Sequence, residues 1–243
     1  MKNAAALALA LLCLLANTCL AARRVNDLER LVAKEQLTEL HWHYNGNMDA
    51  IAALRSIYPV TDARVLNRVA LLRDIFCPDP IFKGWLATGG INGSVSMSTR
   101  YRDIPDPLAF PTPNQSVVSI YRDVLPGLFG NSSQHFVGMP IITVYYDENN
   151  QLRAEFNATL RQVVNIHLSP NPPMVTDILG HYNNKFVFLN PPGNGRSDSY
   201  WCMEQFNAFN AFSVTHFPGT YAISEQNALD AQLSVAEKPP VDG

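Results

Sequence analysis

Apolar side chains recur every three or four residues in the first third of the chain, a spacing that predicts helices. The first helix begins with a capping box, because Asn26 is followed three residues later by Glu29. The run Asn45-Gly46-Asn47 is expected to break this helix, and Pro59 is expected to stop the second. The predicted helices cover residues 27–44, 48–58 and 61–76.

From residue 81 onward, apolar and polar positions begin to alternate, which predicts strands. Residues 87–113 are rich in Gly, Ser and Pro and predict a long loop or lid, after which Asn114 is expected to cap one more helix. The predicted strands cover residues 81–86, 135–146, 152–166, 175–189 and 200–214. Helices segregated from antiparallel strands define an α+β fold, and a curved sheet over the helices would enclose an apolar pocket.

The N-terminus has the pattern of a cleavable signal peptide. Lys2 precedes an Ala- and Leu-rich run over residues 4–16, and Cys19 and Ala21 are the small residues that a signal peptidase reads. The apolar run is shorter than the ~20 residues that a membrane anchor needs, and the alternatives are an uncleaved anchor or a buried helix. We therefore expect a secreted protein. Its predicted parts are a signal peptide over residues 1–21, one domain over residues 22–217 and a C-terminal tail over residues 218–243.

Two of the four cysteines, Cys77 and Cys202, remain after removal of the signal. In an oxidising compartment they favour one disulfide, although two separate buried thiols fit the sequence as well. Four Asn-X-Ser/Thr triplets would accept glycans in a eukaryotic source. They begin at Asn92, Asn114, Asn131 and Asn157. The last lies in a predicted strand and is the least favourable acceptor.

Composition and motifs exclude several classes of partner and cofactor. Loss of Lys2 takes the formal net charge from −3 to −4, and the chain has no basic stripe, so we expect no nucleic-acid partner. No second apolar stretch has membrane length, so we expect no membrane anchor. His41-Trp42-His43 is not expected to bind a metal, because residues two apart on a helix point to different sides. Without a phosphate loop or a nucleophile elbow, the sequence supports only cofactor-free acid–base catalysis.

Residues 134–138, Gln-His-Phe-Val-Gly, resemble the Gln-His-Phe-Ile-Gly of scytalone dehydratase, and residues 180–182 extend the match. Tyr44, Asp49 and the Phe-Cys-Pro-Asp run at 76–79 fit the opening pattern of the same family. On these residues the chain resembles the SnoaL-like branch of the nuclear-transport-factor-2-like (NTF2-like) superfamily. The resemblance implies a cone-shaped, curved antiparallel sheet packed over N-terminal helices, and a homodimer through the outer face of the sheet.

The resemblance also implies roles for particular side chains. His135 would be the general base or acid, and Asp49 would orient its imidazole. The alternatives are a core histidine bonded to backbone and a capping or solvated carboxylate. Asn184 and Phe186 stand where the dehydratase has a Ser and an Asn, which argues against scytalone dehydratase activity itself. The residues expected to contact a substrate are Tyr44, Trp85, His167 and Asn184, and core packing is the alternative for the aromatic ones.

Two functions follow from these expectations. The first is a secreted, cofactor-independent lyase, isomerase or cyclase that acts on a small, mostly apolar carbonyl compound. The second is a non-catalytic extracellular protein that binds a small ligand, or belongs to a matrix, on the same scaffold. The segment 134–138 favours the first function, whereas the inserted loops and the missing Ser and Asn favour the second.

Overall fold

The chain runs from two helices into a sheet of seven strands. A computed structural model describes residues 23–87, 94–110, 112–126, 132–166, 174–190 and 198–216. The predicted signal peptide and C-terminal tail, together with Asn92, Asn131 and His167, lie outside these residues. The elements are α1 (Asp27–Ile57), α2 (Ala63–Arg73), β1 (Phe76–Ala87), β2 (Ser94–Thr99), α3 (Val117–Ser119, continued as a π-helix over Ile120–Val124), β3 (Ser132–Val137), β4 (Ile141–Tyr146), β5 (Leu152–Ile166), β6 (Met174–Leu189) and β7 (Tyr200–His216).

Helix α1 is continuous over 31 residues, so the predicted break at Asn45-Gly46-Asn47 is wrong. The side chain of Asn45 donates to the carbonyl of His41 at 3.0 Å, and that of Asn47 donates to the carbonyl of His43 at 2.8 Å. Both amides are buried, and each donates to a carbonyl of the preceding turn without leaving helical geometry. The helix therefore continues into the interior and carries the residues predicted as a second helix.

The predicted starts of α1 and α2 are confirmed, but the predicted end of α2 is not. Asn26 accepts from the backbone N–H of Glu29 at 2.8 Å, and Asp62 caps α2. The helix predicted over residues 61–76 ends at Arg73 instead, and residues 77–80, Cys-Pro-Asp-Pro, belong to β1. Proline cannot donate to a strand ladder, and the pairing of β1 with β7 skips from Phe76 to Ile81 across this segment.

The strands form one unclosed sheet in the order β2-β1-β7-β6-β5-β3, with β4 also paired to β5. The long strands β5, β6 and β7 are antiparallel, as predicted. The pairing of β1 with β7 is parallel, so the sheet is mixed rather than purely antiparallel. Parallel neighbours need a long connection, and nearly the whole domain lies between these two strands. The fold is α+β, with the sheet curved over the helices.

The predicted strand 135–146 is two strands, β3 and β4, which both pair with β5. Gly138 lies at the break, where its N–H donates to the carbonyl of Thr159 at 3.0 Å. A Cβ atom on Gly138 would be 2.2 Å from the Thr159 hydroxyl oxygen, so this approach requires glycine. The predicted loop 87–113 also contains β2. The next helix is capped by Ser116 rather than Asn114, which has a φ of 63°.

Aromatic rings fill much of the space between α1 and the sheet. Tyr44 packs on Phe206 with ring centroids 5.3 Å apart, and Phe206 stacks on Phe82 at 4.8 Å. Cys77 and Cys202 form a disulfide that ties β1 to β7 beside this core. Among the helices of the described residues, none is long and apolar enough to cross a membrane.

Candidate active site

A carboxylate and an imidazole meet where α1 crosses β3. Oδ1 of Asp49 lies 2.6 Å from Nδ1 of His135, and Oδ2 accepts the backbone N–H of His135 at 3.0 Å. A carboxylate can only accept hydrogen bonds, so the proton of the neutral imidazole is on Nδ1. The lone pair on Nε2 is then free to act as a base.

Two further polar side chains support this pair, and sequence analysis missed both. The hydroxyl of Ser133 donates to Oδ1 of Asp49 at 2.8 Å, and the amide of Gln162 donates to Ser133 at 3.2 Å. Ser133 precedes His135 by two positions and therefore shares its face of β3. Gln162 is paired directly with His135 across β3 and β5. The period of two along β3 was the signal that could have identified Ser133.

The imidazole of His135 is enclosed, with 1% of its side chain exposed, whereas 19% of the Asp49 side chain is exposed. Within the described residues, no hydrogen bond uses Nε2 of His135. The ends of β3, β5 and β6 nearest this pair lead into residues 127–131 and 167–173, which fall outside the described ranges. His167, which was expected to contact a substrate, belongs to the second of these segments.

A second imidazole, His41, lies in the interior on the same face of α1 as Asp49. It is fully buried and stacks on Phe156 with ring centroids 4.1 Å apart. Asn45 contacts its Nδ1 at 3.0 Å, and Asn184 contacts its Nε2 at 3.2 Å. Burial, and then the nearby charge of His135, lower the pKa of His41 from 6.5 to about 3. The ring is therefore uncharged at neutral pH.

Two buried tyrosines, Tyr44 and Tyr182, contact the ring of His41, and a third, Tyr121, bonds to Tyr44. The hydroxyls of Tyr44 and Tyr121 are 2.5 Å apart, and Tyr182 donates to Asn45 at 3.0 Å. Burial raises the pKa of each of the three well above its ordinary value, and the Asp49 carboxylate raises those of Tyr44 and Tyr182 further. These hydroxyls are therefore neutral donors. Tyr44, which was expected to contact a substrate, is instead bonded within the core.

The other predicted site residues have varied surroundings. Asn184 is fully buried, and its amide contacts His41. The backbone of Trp85 in β1 pairs with that of Phe209 in β7, and the side chain of Trp85 lies outside the described part of the structure. His43 is exposed and lies 3.6 Å from Glu39, on a different side of α1 from His41. Within the described ranges, no group of three or more His, Cys, Asp or Glu side chains could hold a metal ion.

Two surface depressions lie away from the Asp49–His135 pair. One of about 390 Å³ lies beside Lys83, Met97 and Asn207 on the β2-β1-β7 side of the sheet. The other, of about 470 Å³, lies beside Gln115 and Arg122, next to the acceptor Asn114. Neither is lined by His135 or Asp49, so the pair is a feature of the interior rather than of these depressions.

Known proteins match this chain in structure but not in sequence. No protein-family model and no curated protein matches the sequence. A type 2 hexachlorocyclohexane dehydrochlorinase (LinA) is 12% identical, with a TM-score of 0.51 over 82% of this chain and 99% of that one. LinA type 3 from Novosphingobium barchaimii is 11% identical, with a TM-score of 0.50 over 81% and 97%. A proposed scytalone dehydratase from Novosphingobium aromaticivorans has 12% identity and a TM-score of 0.46 over 77% and 90%. The chain therefore shares the α+β fold of the two dehydrochlorinases, and its helices and curved, unclosed sheet are consistent with the NTF2-like cone that the sequence resemblance implied.

Proposed function

We propose that this protein is a cofactor-independent lyase, isomerase or cyclase that removes a proton from a carbon atom of a small carbonyl compound. The observation that carries the proposal is the 2.6 Å contact between Asp49 and Nδ1 of His135 in an enclosed interior. The carboxylate fixes the tautomer that leaves Nε2 basic, and it stabilises the imidazolium that forms when the proton is taken.

The chemical step balances without a cofactor. Nε2 of His135 takes a proton from the carbon next to the carbonyl, and the C–H electron pair forms an enolate. In a lyase, the enolate expels a leaving group from the neighbouring carbon and a C=C bond forms. In an isomerase, His135 returns the proton to a different carbon. Asp49 accepts the Nδ1–H throughout and remains ionised.

The surroundings of the pair favour an uncharged substrate. Ser133 hydrogen-bonds to Asp49, Gln162 hydrogen-bonds to Ser133, and both side chains are neutral. The rings nearest to the pair on α1, those of His41 and Tyr44, are also uncharged at neutral pH. A carboxylate or phosphate group would approach the Asp49 charge without a countercharge among these groups, at a cost that a water-poor interior increases.

The fold comparison is compatible with this chemistry. The name of the hexachlorocyclohexane dehydrochlorinases describes removal of hydrogen chloride from a small apolar compound. At 11–12% identity, only the scaffold is shared. The proposal for this chain therefore rests on its own Asp49–His135 pair.

A mixture of small ketones, aldehydes and esters in D₂O tests the proposal. After incubation with the purified protein, mass spectrometry identifies the compounds that the protein retains and those that have gained deuterium or lost a leaving group. We expect at least one retained compound to exchange hydrogen next to its carbonyl. Retention without any exchange or elimination would contradict the enzymatic proposal.

That contrary outcome would support the second candidate, a non-catalytic binding protein. This alternative is favoured by the bonding of Tyr44 to Tyr121 and of Asn184 to His41, because these polar groups are used within the protein. A scaffold that fills its narrow end with its own side chains could bind a ligand without transforming it.

We also propose that the protein is exported. The N-terminal pattern, the Cys77–Cys202 disulfide and the exposed acceptor Asn114 all fit an oxidising secretory route. Expression in secretory eukaryotic cells is expected to deliver the protein to the medium with Ala22 as its first residue. N-terminal sequencing and the mass change on deglycosylation check this result. Retention in the cell with residues 1–21 intact would contradict it.

A further inference from the structure

The His41 ring lies between two amide groups whose orientations are set by other bonds. Oδ1 of Asn184 accepts the backbone N–H of Asn207 at 2.9 Å, so its Nδ2 faces Nε2 of His41. This bond has a structural reason: the β6–β7 ladder skips from the Tyr182–Ala208 pair to the Lys185–Gln205 pair, and the side chain of Asn184 satisfies a donor in the gap.

The amide of Asn45 is oriented in the same way at the other ring nitrogen. Its Nδ2 donates to the backbone carbonyl of His41 at 3.0 Å, and its Oδ1 accepts from the hydroxyl of Tyr182 at 3.0 Å. The carbonyl can only accept, so the amide nitrogen must remain on this side. Nδ2 of Asn45 is consequently also the atom that faces Nδ1 of His41, at 3.0 Å.

Both nitrogens of the His41 ring therefore face N–H donors. A neutral imidazole has one acceptor nitrogen and one donor nitrogen, so it satisfies one amide and opposes the other. A protonated imidazole has two donors and would oppose both. His41 is fully buried, so the bulk solvent does not reach the ring, and the geometry alone penalises its charged form.

We propose that Asn45 and Asn184 hold His41 as an uncharged imidazole, so that no positive charge on His41 opposes the protonation of His135 beside Asp49. His41 is then a positioning residue, because it shapes the electrostatic surroundings of His135 without touching substrate. Its lowered pKa agrees with this arrangement.

The remaining titratable groups around His41 fit the proposal. Tyr44 faces it from its own helix, Tyr182 from β6, and His135 acts on it from β3, while Asp49 acts on the two tyrosines. The two tyrosines stay protonated because burial raises the pKa of each. A positive charge on His41 would therefore oppose formation of the His135 imidazolium directly. This functional consequence rests on the proposed function, whereas the charge state of His41 does not.

Nitrogen-15 NMR of the imidazole rings in the full mature chain tests the charge state. In the wild type, we expect His41 to show one protonated and one unprotonated nitrogen at pH 5. In Asn184→Asp, the new carboxylate can accept both from Asn207 and from Nε2 of His41, and it supplies a countercharge. The midpoint of His41 should then rise by about two pH units or more. His41→Gln assigns the signal.

Asn183→Asp is the matched control, since Asn183 is the neighbouring residue on β6 and bonds to Asn157 across the opposite face of the sheet. It adds the same charge and should leave the His41 midpoint unchanged. A wild-type His41 that is protonated on both nitrogens at pH 5 would overturn the proposal, even if the variants fail to fold. An equal shift in both variants would also overturn it. Absence of deuterium exchange would contradict only the proposed function.

Discussion

Asp49 binds the same residue, His135, through both of its carboxylate oxygens: Oδ1 contacts the ring and Oδ2 contacts the backbone N–H. This contact fixes the position of the ring together with the strand that carries it. Because α1 and β3 are distant in sequence, the pair also fastens the long helix to the edge of the sheet. The carboxylate therefore contributes to both the proposed chemistry and the stability of the fold.

Replacement of Asp49 by Asn should lower both the rate of proton abstraction and the free energy of unfolding, which replacement of an ordinary surface charge should not do. The amide nitrogen of the variant would oppose either the ring N–H or the backbone N–H of His135. We expect proton abstraction to slow by about 10³–10⁴-fold and the free energy of unfolding to fall by about 1–3 kcal/mol. Deuterium incorporation and urea denaturation measure the two effects.

The control for this substitution is Asp27→Asn, since 96% of the Asp27 side chain is exposed. It should change neither the rate of deuterium incorporation nor the free energy of unfolding measurably. If Asp49→Asn exchanged deuterium as fast as the wild type, the role of Asp49 as the orienting group would be wrong.

The buried His41 makes stability depend on pH in a defined direction. Its pKa is about 3 in the folded protein and 6.5 when unfolded, so the unfolded chain binds the proton first as pH falls. Stability is complete above pH 6.5 and is lost progressively below it, by about 3 kcal/mol at pH 4. Denaturation curves at pH 7, 5.5 and 4 measure this loss.

Comparison with His41→Gln isolates this contribution from that of the carboxylates. The variant has no ring to protonate, so its stability should decline by about 3 kcal/mol less between pH 7 and pH 4 than that of the wild type. Parallel losses in the two proteins would show that His41 does not contribute to acid sensitivity.

Two glycines are expected to respond to alanine in opposite ways. Gly138→Ala places a methyl group against the Thr159 hydroxyl and should destabilise the protein by about 1–3 kcal/mol. Gly46 has no atom within 4 Å of the added Cβ and lies inside α1, so Gly46→Ala should stabilise it by about 0.5–1 kcal/mol. Thermal denaturation compares them. Thr159→Ala should suppress most of the effect at Gly138, and failure to do so would refute the steric explanation.

The disulfide closes a loop of 125 residues. In the chain-entropy account, a loop of this length gives about 4–5 kcal/mol. We expect Cys77→Ala/Cys202→Ala to lose stability on that scale, and a reducing agent to lower the wild-type denaturation midpoint but not that of the variant. If the denaturation midpoint of the wild type stayed the same after complete reduction of the disulfide, this expectation would be wrong.

Sequence reasoning predicted the α+β fold and the Asp49–His135 combination because both leave local signals, namely a change of period and a short matching segment. It failed at Asn45 and Asn47, where propensity suggests a break but the side chains bond to the preceding helical turn. It also failed at the prolines of β1, whose register depends on the distant β7. The bonding of His41 could not be predicted, because Asn184 reaches it from a strand 143 residues away.

In the proposed reaction, Nε2 of His135 removes a proton from carbon. The most direct test compares the wild type with His135→Gln, using the retained compound that exchanges fastest in D₂O. We predict that the variant incorporates deuterium at least about 100-fold more slowly than the wild type, while its affinity for the compound changes only a few-fold. Equal exchange rates in the two proteins would contradict this prediction.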